Sequence, residues 1–319
     1  MSFDATSTAD EVLADIDLSG RTVLVTGASG GIGLEAARAM AARGATVVLA
    51  ARDQSKLDTA LATIRGQQPD ARVEALILDL ASLASVRAAA AEFLADHDTL
   101  DILLNNAGVM CTPFGHTADG FETQFGTNHL GHFLLTNLLL PAVLASGNAR
   151  IVNLSSSGHS MGTLDFDDPN FERRPYDGWV SYGQSKTANI LFSVALDERL
   201  AASGVRSFAV HPGGIRTDLG RYMSREDRAQ LGQRIAERQP SGDAASFQWK
   251  TIPQGAATSV WAATSPDLAG IGGRYCEDCQ LAPEASAPTG FGYQPYAVDP
   301  DTARRLWALS ERLVGQDFA

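Results

Sequence analysis

Tyr182 and Lys186, four residues apart in Tyr182-Gly-Gln-Ser-Lys186, are the pair in this chain whose types and spacing suit proton transfer. On a helix that spacing places both on one face. A phenol with an ordinary pKa of about 10 is too weak an acid to exchange protons at neutral pH. A full ammonium charge about 4 Å away, at an effective dielectric near ~20, is worth roughly 4 kcal/mol, or about three pKa units. The tyrosine is then usable as an acid or a base. The same spacing occurs wherever a packed ring lies beside a solvated amine, so the neighbours of the pair decide its meaning.

Upstream, Thr26-Gly27-Ala28-Ser29-Gly30-Gly31-Ile32-Gly33 follows an apolar run and opens a helical stretch, the setting of a dinucleotide-binding loop. Glycines there let the backbone approach a pyrophosphate, and the free N–H groups and dipole of the helix stabilise its charge. At the end of the second apolar run, Ala50-Ala51-Arg52-Asp53 puts an arginine where a 2′-phosphate is held, so Arg52 favours NADP(H). Asp53, one position on, keeps NAD(H) open, since an acidic residue suits a free ribose hydroxyl. Asp79, followed by Leu80, ends the third run and is placed to reach an adenine amine. Asn105, Asn106, Ala107 and Gly108 end the fourth, where short side chains let an adenosine lie close and one asparagine braces the backbone.

Ser155, Ser156 and Ser157 end the fifth run and bring hydroxyls to the same edge, where one can hydrogen-bond a carbonyl oxygen while the tyrosine supplies the proton. Ser156 is the one we favour. Asn128 lies within a long helical stretch, a poor place for its propensity, and points to a local hydrogen-bonding task such as holding water beside the lysine. His129 and His132 stand one turn apart, with His159 and His211 nearby, but without a third convergent ligand they read as helix-face or substrate-rim residues; no metal is expected. The three cysteines, Cys111, Cys276 and Cys279, are too few for a disulfide framework, and Cys276-Glu-Asp-Cys279 follows a strand instead of opening a helix.

The elements that must position these groups are legible as alternating patterns. Strands are predicted at Thr22–Val25, Thr46–Ala50, Val73–Leu78, Ile102–Leu104, Ile151–Leu154, Val205–Val210 and Gly272–Cys276, and helices at Gly33–Ala42, Ser82–Ala95, Gly120–Leu144, Val180–Ala202, Gly255–Ala263 and Thr302–Leu313. Short apolar strands alternating with helices imply an α/β chain, a three-layer Rossmann fold with a doubly wound parallel sheet of about seven strands. No linker divides residues 1–319, read as one dinucleotide-binding domain with a C-terminal extension at 277–319. Irregular segments 157–179 and 218–250 follow the carboxyl ends of strands and are the expected substrate walls. Their large apolar residues, such as Met161, Trp179, Met223 and Trp249, suit a lipophilic pocket, ordinary packing or a subunit contact equally.

In this order and context the motifs resemble those of the short-chain dehydrogenase/reductase family. The resemblance rests on the loop at Thr26–Gly33, on Asn105–Gly108, Asn128, the serine run, Tyr182/Lys186 and Pro212-Gly213, and runs from Arg21 to about Tyr275. The glycine spacing is unlike that of the epimerase-like extended branch. Gly273-Arg-Tyr-Cys276 and the helix around Arg304–Arg312 are similar to the retinol dehydrogenase and WW-domain oxidoreductase subset. The resemblance implies Tyr182 as proton donor and acceptor, Lys186 lowering its pKa and binding nicotinamide ribose, Ser156 orienting the carbonyl and Asn128 anchoring a relay water. It also implies cofactor contacts from the loop residues Gly27, Ser29, Gly31, Ile32 and Gly33, from Asn106, Ala107 and Gly108, and from Pro212, Gly213, Ile215 and Thr217, the last at the nicotinamide amide. Two departures stand out. Gly30 occupies a place where many NADP-preferring relatives carry a basic residue, and no N-terminal anchor of the kind frequent in retinol dehydrogenases is visible.

The net charge of −12 argues against a nucleic-acid surface or an anionic membrane patch, and residues 1–17 show neither a signal peptide nor an apolar anchor, so a cytoplasmic location is expected. The expectation is an oxidoreductase acting on a small alcohol or carbonyl, using NADP, with NAD as the alternative cofactor and a homo-oligomer left open. The competing class is a non-catalytic dinucleotide sensor or scaffold, since a fold does not fix a function.

Overall fold

The computed structural model describes residues 3–238, 247–286 and 291–318; parts of the expected 218–250 wall and of the 277–319 extension therefore lie outside the described residues. Eight strands form one sheet: β1 (Thr22–Thr26), β2 (Thr46–Ala51), β3 (Arg72–Ile77), β4 (Ile102–Asn105), β5 (Arg150–Leu154), β6 (Arg206–His211), β7 (Arg274–Glu277) and β8 (Gln280–Leu281). Their order is β3-β2-β1-β4-β5-β6-β7-β8, parallel throughout except for β8, which turns back on β7. That two-residue edge strand is the difference from the seven expected. The order reverses between β1 and β4, the switch point at which open α/β sheets bind ligands. The strands read as continuous valine, leucine and isoleucine runs because both faces are covered: Val23, Leu24 and Val25 of β1 and Ile151 and Val152 of β5 are all fully buried.

Helices α1 (Ala9–Val12), α2 (Gly31–Ala41), α3 (Gln54–Gln67) and α10 (Ile252–Thr264) contribute to the apolar layer on one face. On the other lie α4 (Leu83–Asp96), α6 (Gly131–Leu138), α7 (Leu140–Ser146), α8 (Gly178–Leu200) and α11 (Pro300–Val314). Short α5 (Thr123–Phe125) precedes α6, and α9 (Arg225–Arg238) stands after β6. Three details depart from the sequence expectation. Helix α3 was not anticipated, although Asp53 caps it through the Lys56 N–H and Leu57, Ala60, Leu61 and Ile64 form its buried stripe. Helix α9 falls in a segment expected to be irregular; its polar sequence has no apolar run, and Ser224 and Asp227 start it by bonding each other's backbone N–H. The expected single helix 120–144 is broken by a π-turn at Gly126–Leu130 and a bend after Leu138. π-turns of this kind gather at functional sites.

The extension after β7 is bound into the fold through α11. Asp299 caps it by accepting from the Thr302 N–H, and its apolar stripe turns Ala303, Leu306 and Trp307 onto α6 and α8. Trp307 meets the Phe133 ring edge-on at 5.0 Å, and the Ser310 hydroxyl bonds His129 Nε2 at 2.8 Å. Burial drives the His129 pKa down to about 3, so this imidazole is a neutral packing group. Trp307→Ala should cost about 3–5 kcal/mol of stability in urea unfolding, as for other buried aromatics. A loss below about 1 kcal/mol would mean that α11 lies loosely on the fold.

Candidate active site

The carboxyl edge of the sheet gathers the predicted residues from the ends of six strands, β1 to β6. After β1 the chain turns at Gly27, whose φ of +67° and close approach leave no room for a side chain: a Cβ would meet Ala107 Cα at 2.8 Å. A Cβ at Gly33 would strike Asn106 Nδ2 at 2.4 Å and the Gly27 oxygen at 2.6 Å, so β1, α2 and the β4 turn close on one another there. Gly30, by contrast, faces open space at the start of the 11-residue helix α2. Ser29 and Ile32 are half-buried beside it. This open, donor-lined approach fits a dinucleotide pyrophosphate, whose charge the α2 N–H groups and dipole would balance. Asn106 braces the loop, donating from Nδ2 to the Thr26 oxygen at 2.8 Å, while Asn105 Nδ2 ties β4 to Thr136 and Asn153.

Beyond the loop, the Asp79 carboxylate accepts from the Ala81 N–H, and the Leu80 oxygen lies where a Cβ on Gly131 would need to sit. Arg52 is exposed at the end of β2, near enough to Tyr222 in the turn after β6 to help lower that phenol's pKa, an effect that Arg221 dominates. Asp53 is committed to α3, taking the Ser55 hydroxyl and the Lys56 N–H. After β6, Pro212 and Gly213 lead to Ile215, which packs with Ile32 over the bare Cα of Gly255. Thr217 lies against Gly31, 3.7 Å from where a Cβ would stand, and its hydroxyl accepts from the Leu219 N–H. The segment is pinned by the Lys250 N–H, which donates to the Gly214 oxygen at 2.9 Å.

The chemical groups come from the first turns of α8 and from the turn after β5. Asp177 caps α8 by accepting from the Trp179 and Val180 N–H groups, which sets Tyr182 and Lys186 on the face toward the sheet, each 3% exposed. The 3₁₀ turn Ser157–Met161 is pressed against that helix: a Cβ on Gly158 would meet the Tyr182 ring at 2.8 Å, and one on Gly183 would meet the Gly162 nitrogen at 2.5 Å. Of the three serines, Ser156 is the one whose hydroxyl lies beside that of Tyr182, near enough to lower the phenol pKa, and it accepts from the Gly158 N–H at 3.0 Å. Ser155 turns inward and donates to the Lys186 carbonyl. Lys186 Nζ donates to the Leu154 oxygen at 2.9 Å and stands beside Gly108 and Asn128.

Asn128 sits in the π-turn and is fully occupied by protein. Its Oδ1 accepts from the Val109 N–H, and its Nδ2 donates to the Val109 oxygen and to Ser185 Oγ. His132, expected on a helix face or rim, is instead buried between the two halves of the site. Its Nδ1 lies 2.9 Å from the Asn128 oxygen and its Nε2 2.9 Å from the Thr26 hydroxyl. The carbonyl can only accept, so Nδ1 carries the proton and Nε2 accepts from Thr26. Burial holds its pKa down at about 4. Among the described residues no group of three His, Cys, Asp or Glu is placed to hold a metal.

The proton states differ from the simple expectation of a charged lysine lowering the phenol. Burial pushes the Tyr182 phenol up to about 12, opposed by the hydrogen bond to Ser156. Burial also pulls the Lys186 ammonium down to about 7. Its Nζ lies 5.7 Å from the Tyr182 ring centre. Both groups are enclosed in the protein itself, so each tends to its neutral form.

Several lining residues were missed by sequence reasoning. Met110 and Cys111, two and three residues past the Asn105–Gly108 turn, join Trp179, Met161 and Met223 around Tyr182. Their position just beyond the β4 carboxyl end was the available signal. The Trp179 indole N–H is buried with no hydrogen-bond partner among the described residues. Cys276 and Cys279 are buried thiols on the β7–β8 hairpin, away from the tyrosine.

A doubly wound sheet with a glycine loop at its switch point and a serine, tyrosine and lysine gathered at the same edge defines a dinucleotide-dependent oxidoreductase. The chain belongs to the short-chain dehydrogenase/reductase family, in a retinol dehydrogenase-like subset: the family's short chain dehydrogenase pattern matches residues 21–228. It is 44% identical over 298 residues to retinol dehydrogenase 13 of Homo sapiens, covering 93% of this chain and 86% of that one. It is 42% identical over 322 residues to the chloroplastic short-chain dehydrogenase TIC 32 B of Brassica napus, covering 98% and 94%. Among solved structures, an uncharacterized protein from Mycobacterium Paratuberculosis superposes with a TM-score of 0.73 at 36% identity, covering 98% and 99% of the two chains. A gluconate 5-dehydrogenase from Burkholderia cenocepacia, in complex with NADP and tartrate, gives 0.63 at 25% identity, covering 84% and 96%. Among the described residues no single helix is long and apolar enough to cross a membrane; the bent pair Thr123–Leu138 and Leu140–Ser146 meets that test together, and its residues build the interior of the fold.

The lysine makes a prediction about stability. Unfolded, its amine keeps its proton to about pH 10.4, whereas folded it loses it near 7. Between those values the unfolded chain binds more protons, so stability of the ligand-free protein rises with pH, by up to about 1.4 kcal/mol per unit. Urea unfolding from about pH 7 to about pH 9 should show this rise in the wild type and not in Lys186→Met. Parallel curves for the two proteins would contradict the buried, readily deprotonated amine.

Proposed function

We propose that this protein is an NADP(H)-dependent oxidoreductase that moves hydride between nicotinamide and a lipophilic secondary alcohol/ketone or aldehyde. The observation that carries the reading is the buried Tyr182 beside Ser156, with Lys186 on the same face of α8, at the edge where the glycine loop opens. A nicotinamide bound there supplies or accepts the hydride. As the substrate carbonyl carbon gains a C–H bond, Tyr182 gives its proton to the oxygen, and the Ser156 hydroxyl donates a hydrogen bond to the same atom. In the reverse direction the phenolate takes the proton back. A phenol held protonated by burial carries the proton that carbonyl reduction needs, and a charged Lys186 beside it would make it acid enough to give that proton up.

Arg52, which makes no ion pair with a carboxylate among the described residues and lies near Tyr222, supports the 2′-phosphorylated cofactor. Asp53, engaged as the α3 cap, is poorly available to a ribose diol. The lipophilic substrate is supported by Met110, Cys111, Met161, Trp179 and Met223 around the tyrosine, and by the name of the relative retinol dehydrogenase 13.

Tyr182→Phe should lower turnover with a panel of lipophilic aldehydes and ketones by about 10²–10⁴-fold, the usual worth of a positioned acid, while NADPH affinity by fluorescence titration holds. Turnover at the wild-type level would sink the assignment. Arg52→Asp should raise KM for NADPH by about tenfold or more and lower it for NADH, as expected on removing a charged phosphate contact. An unchanged ratio would refute the 2′-phosphate site.

A further inference from the structure

We propose that His159 is a positioning residue for the catalytic serine, locked in one tautomer by the C-terminal extension. The inference rests on the proposed role of Ser156 and goes beyond it, because it makes a segment after the 21–228 family core part of the catalytic apparatus.

His159 is 1% exposed and sits in the 3₁₀ turn directly after Ser156. Its Nδ1 lies 2.7 Å from the Ser156 carbonyl oxygen. Its Nε2 accepts from the Gln294 backbone N–H at 3.1 Å. A backbone N–H can only donate and a carbonyl oxygen can only accept, so Nε2 is bare and Nδ1 carries the hydrogen. The imidazole is thus a rigid link between the extension and the peptide unit that carries the Ser156 side chain. Its own carbonyl is held from two sides, by the Tyr296 hydroxyl at 3.0 Å and by Thr187 Oγ1 at 3.1 Å, and its ring packs on Tyr275 at 5.2 Å.

The extension reaches this point by a built path. After β8 the chain doubles back, Tyr293 donating to the Pro283 oxygen and accepting from the Ala285 N–H. The Gly292 N–H donates to Glu277 Oε1 at 2.8 Å, with φ at +102° and no room for a Cβ, which would lie 2.2 Å from the Pro283 oxygen. Gln294 is therefore delivered to His159 by a strand-end carboxylate and a pinned loop. On the other side, Ser156 has little freedom once its carbonyl is held: its Oγ accepts from the Gly158 N–H and meets Tyr182, and Gly158 is pressed on the Tyr182 ring. A shift of the Ser156 peptide by an ångström would move its hydroxyl off the substrate oxygen, and misplacement of that size costs turnover, not binding.

Two amides separate the two ends of the imidazole. Asparagine at 159 keeps a donor where Nδ1 stands and loses the acceptor; glutamine keeps an acceptor where Nε2 stands and loses the donor to Ser156. Steady-state kinetics with NADPH and a lipophilic aldehyde, NADPH affinity and thermal melting should be measured for wild type, His159→Asn, His159→Gln and Tyr182→Phe. We expect His159→Gln to lose about tenfold or more in kcat, with KM and NADPH affinity little changed, and His159→Asn to recover most of that loss. Gln294→Pro removes the donating N–H together with the side chain, at a φ of −81° that proline accepts, and should lower kcat more than Gln294→Ala, which loses the side chain but keeps the N–H. The excess should vanish when residue 159 is asparagine, which has no tautomer to fix. Equal kcat for the asparagine and glutamine variants, whether both high or both low, would overturn the proposal. Wild-type turnover in Tyr182→Phe would instead overturn the reading of the site on which it rests.

Discussion

A single chain of buried hydrogen bonds joins the cofactor loop to the catalytic helix, and the arrangement of the rest of the site depends on it. The Thr26 hydroxyl, at the end of β1, accepts from the Asn106 and Ala107 N–H groups and donates to His132 Nε2. His132 Nδ1 donates to the Asn128 carbonyl, Asn128 Nδ2 donates to Ser185 Oγ, and Ser185 donates to the Tyr182 carbonyl. Each link is worth about 0.5–1.5 kcal/mol net, but a buried group left unpaired costs more, so the chain resists partial rearrangement. Its geometry requires the π-turn at Gly126–Leu130, which shifts the register of the helix locally. Asn128 is thereby a brace between β4, the π-turn and α8, and its side chain is fully engaged by protein atoms.

Within that frame, burial sets the proton states. Tyr182 is held protonated and Lys186 is held close to neutrality because neither is offered a strong countercharge by the protein. The protein therefore holds a phenol and an amine together without fully building the electrostatics that proton exchange would require. Where a bound cofactor stabilises the charged form of Lys186, the ammonium would lower the phenol pKa. The close packing of the Ser157–Met161 turn on α8 keeps the serine and tyrosine together meanwhile.

Much of this was legible in the chain. The parallel sheet followed from valine- and leucine-rich runs, and the site from the carboxyl-edge position of the glycine loop, the serines and the Tyr182/Lys186 spacing. The structure turns Ser155 inward to the Lys186 carbonyl and leaves Ser156 beside Tyr182, and it separates Arg52, which is exposed, from Asp53, which caps a helix. What stayed hidden depends on long-range packing. Nothing local marks His132 as a bridge to Thr26, 106 residues away in sequence, or places Gln294 against His159, 135 residues away. Helix α3 did carry a local signal, a cap and a stripe at i, i+3, i+4 and i+7, masked by its modest apolar content. Full burial of the lysine was equally invisible, and it reverses the simple estimate of a permanently charged neighbour.

The central claim is that one buried tyrosine, kept neutral by the protein alone, becomes an acid/base group in the cofactor complex. The most direct measurement is a near-ultraviolet difference titration of wild type against Tyr182→Phe, with and without NADP, which isolates the phenolate of this residue. The account predicts a midpoint at about 12 without cofactor and a clear downward displacement with NADP bound. An ordinary midpoint near ~10 in the free protein, or no displacement in the complex, would contradict it.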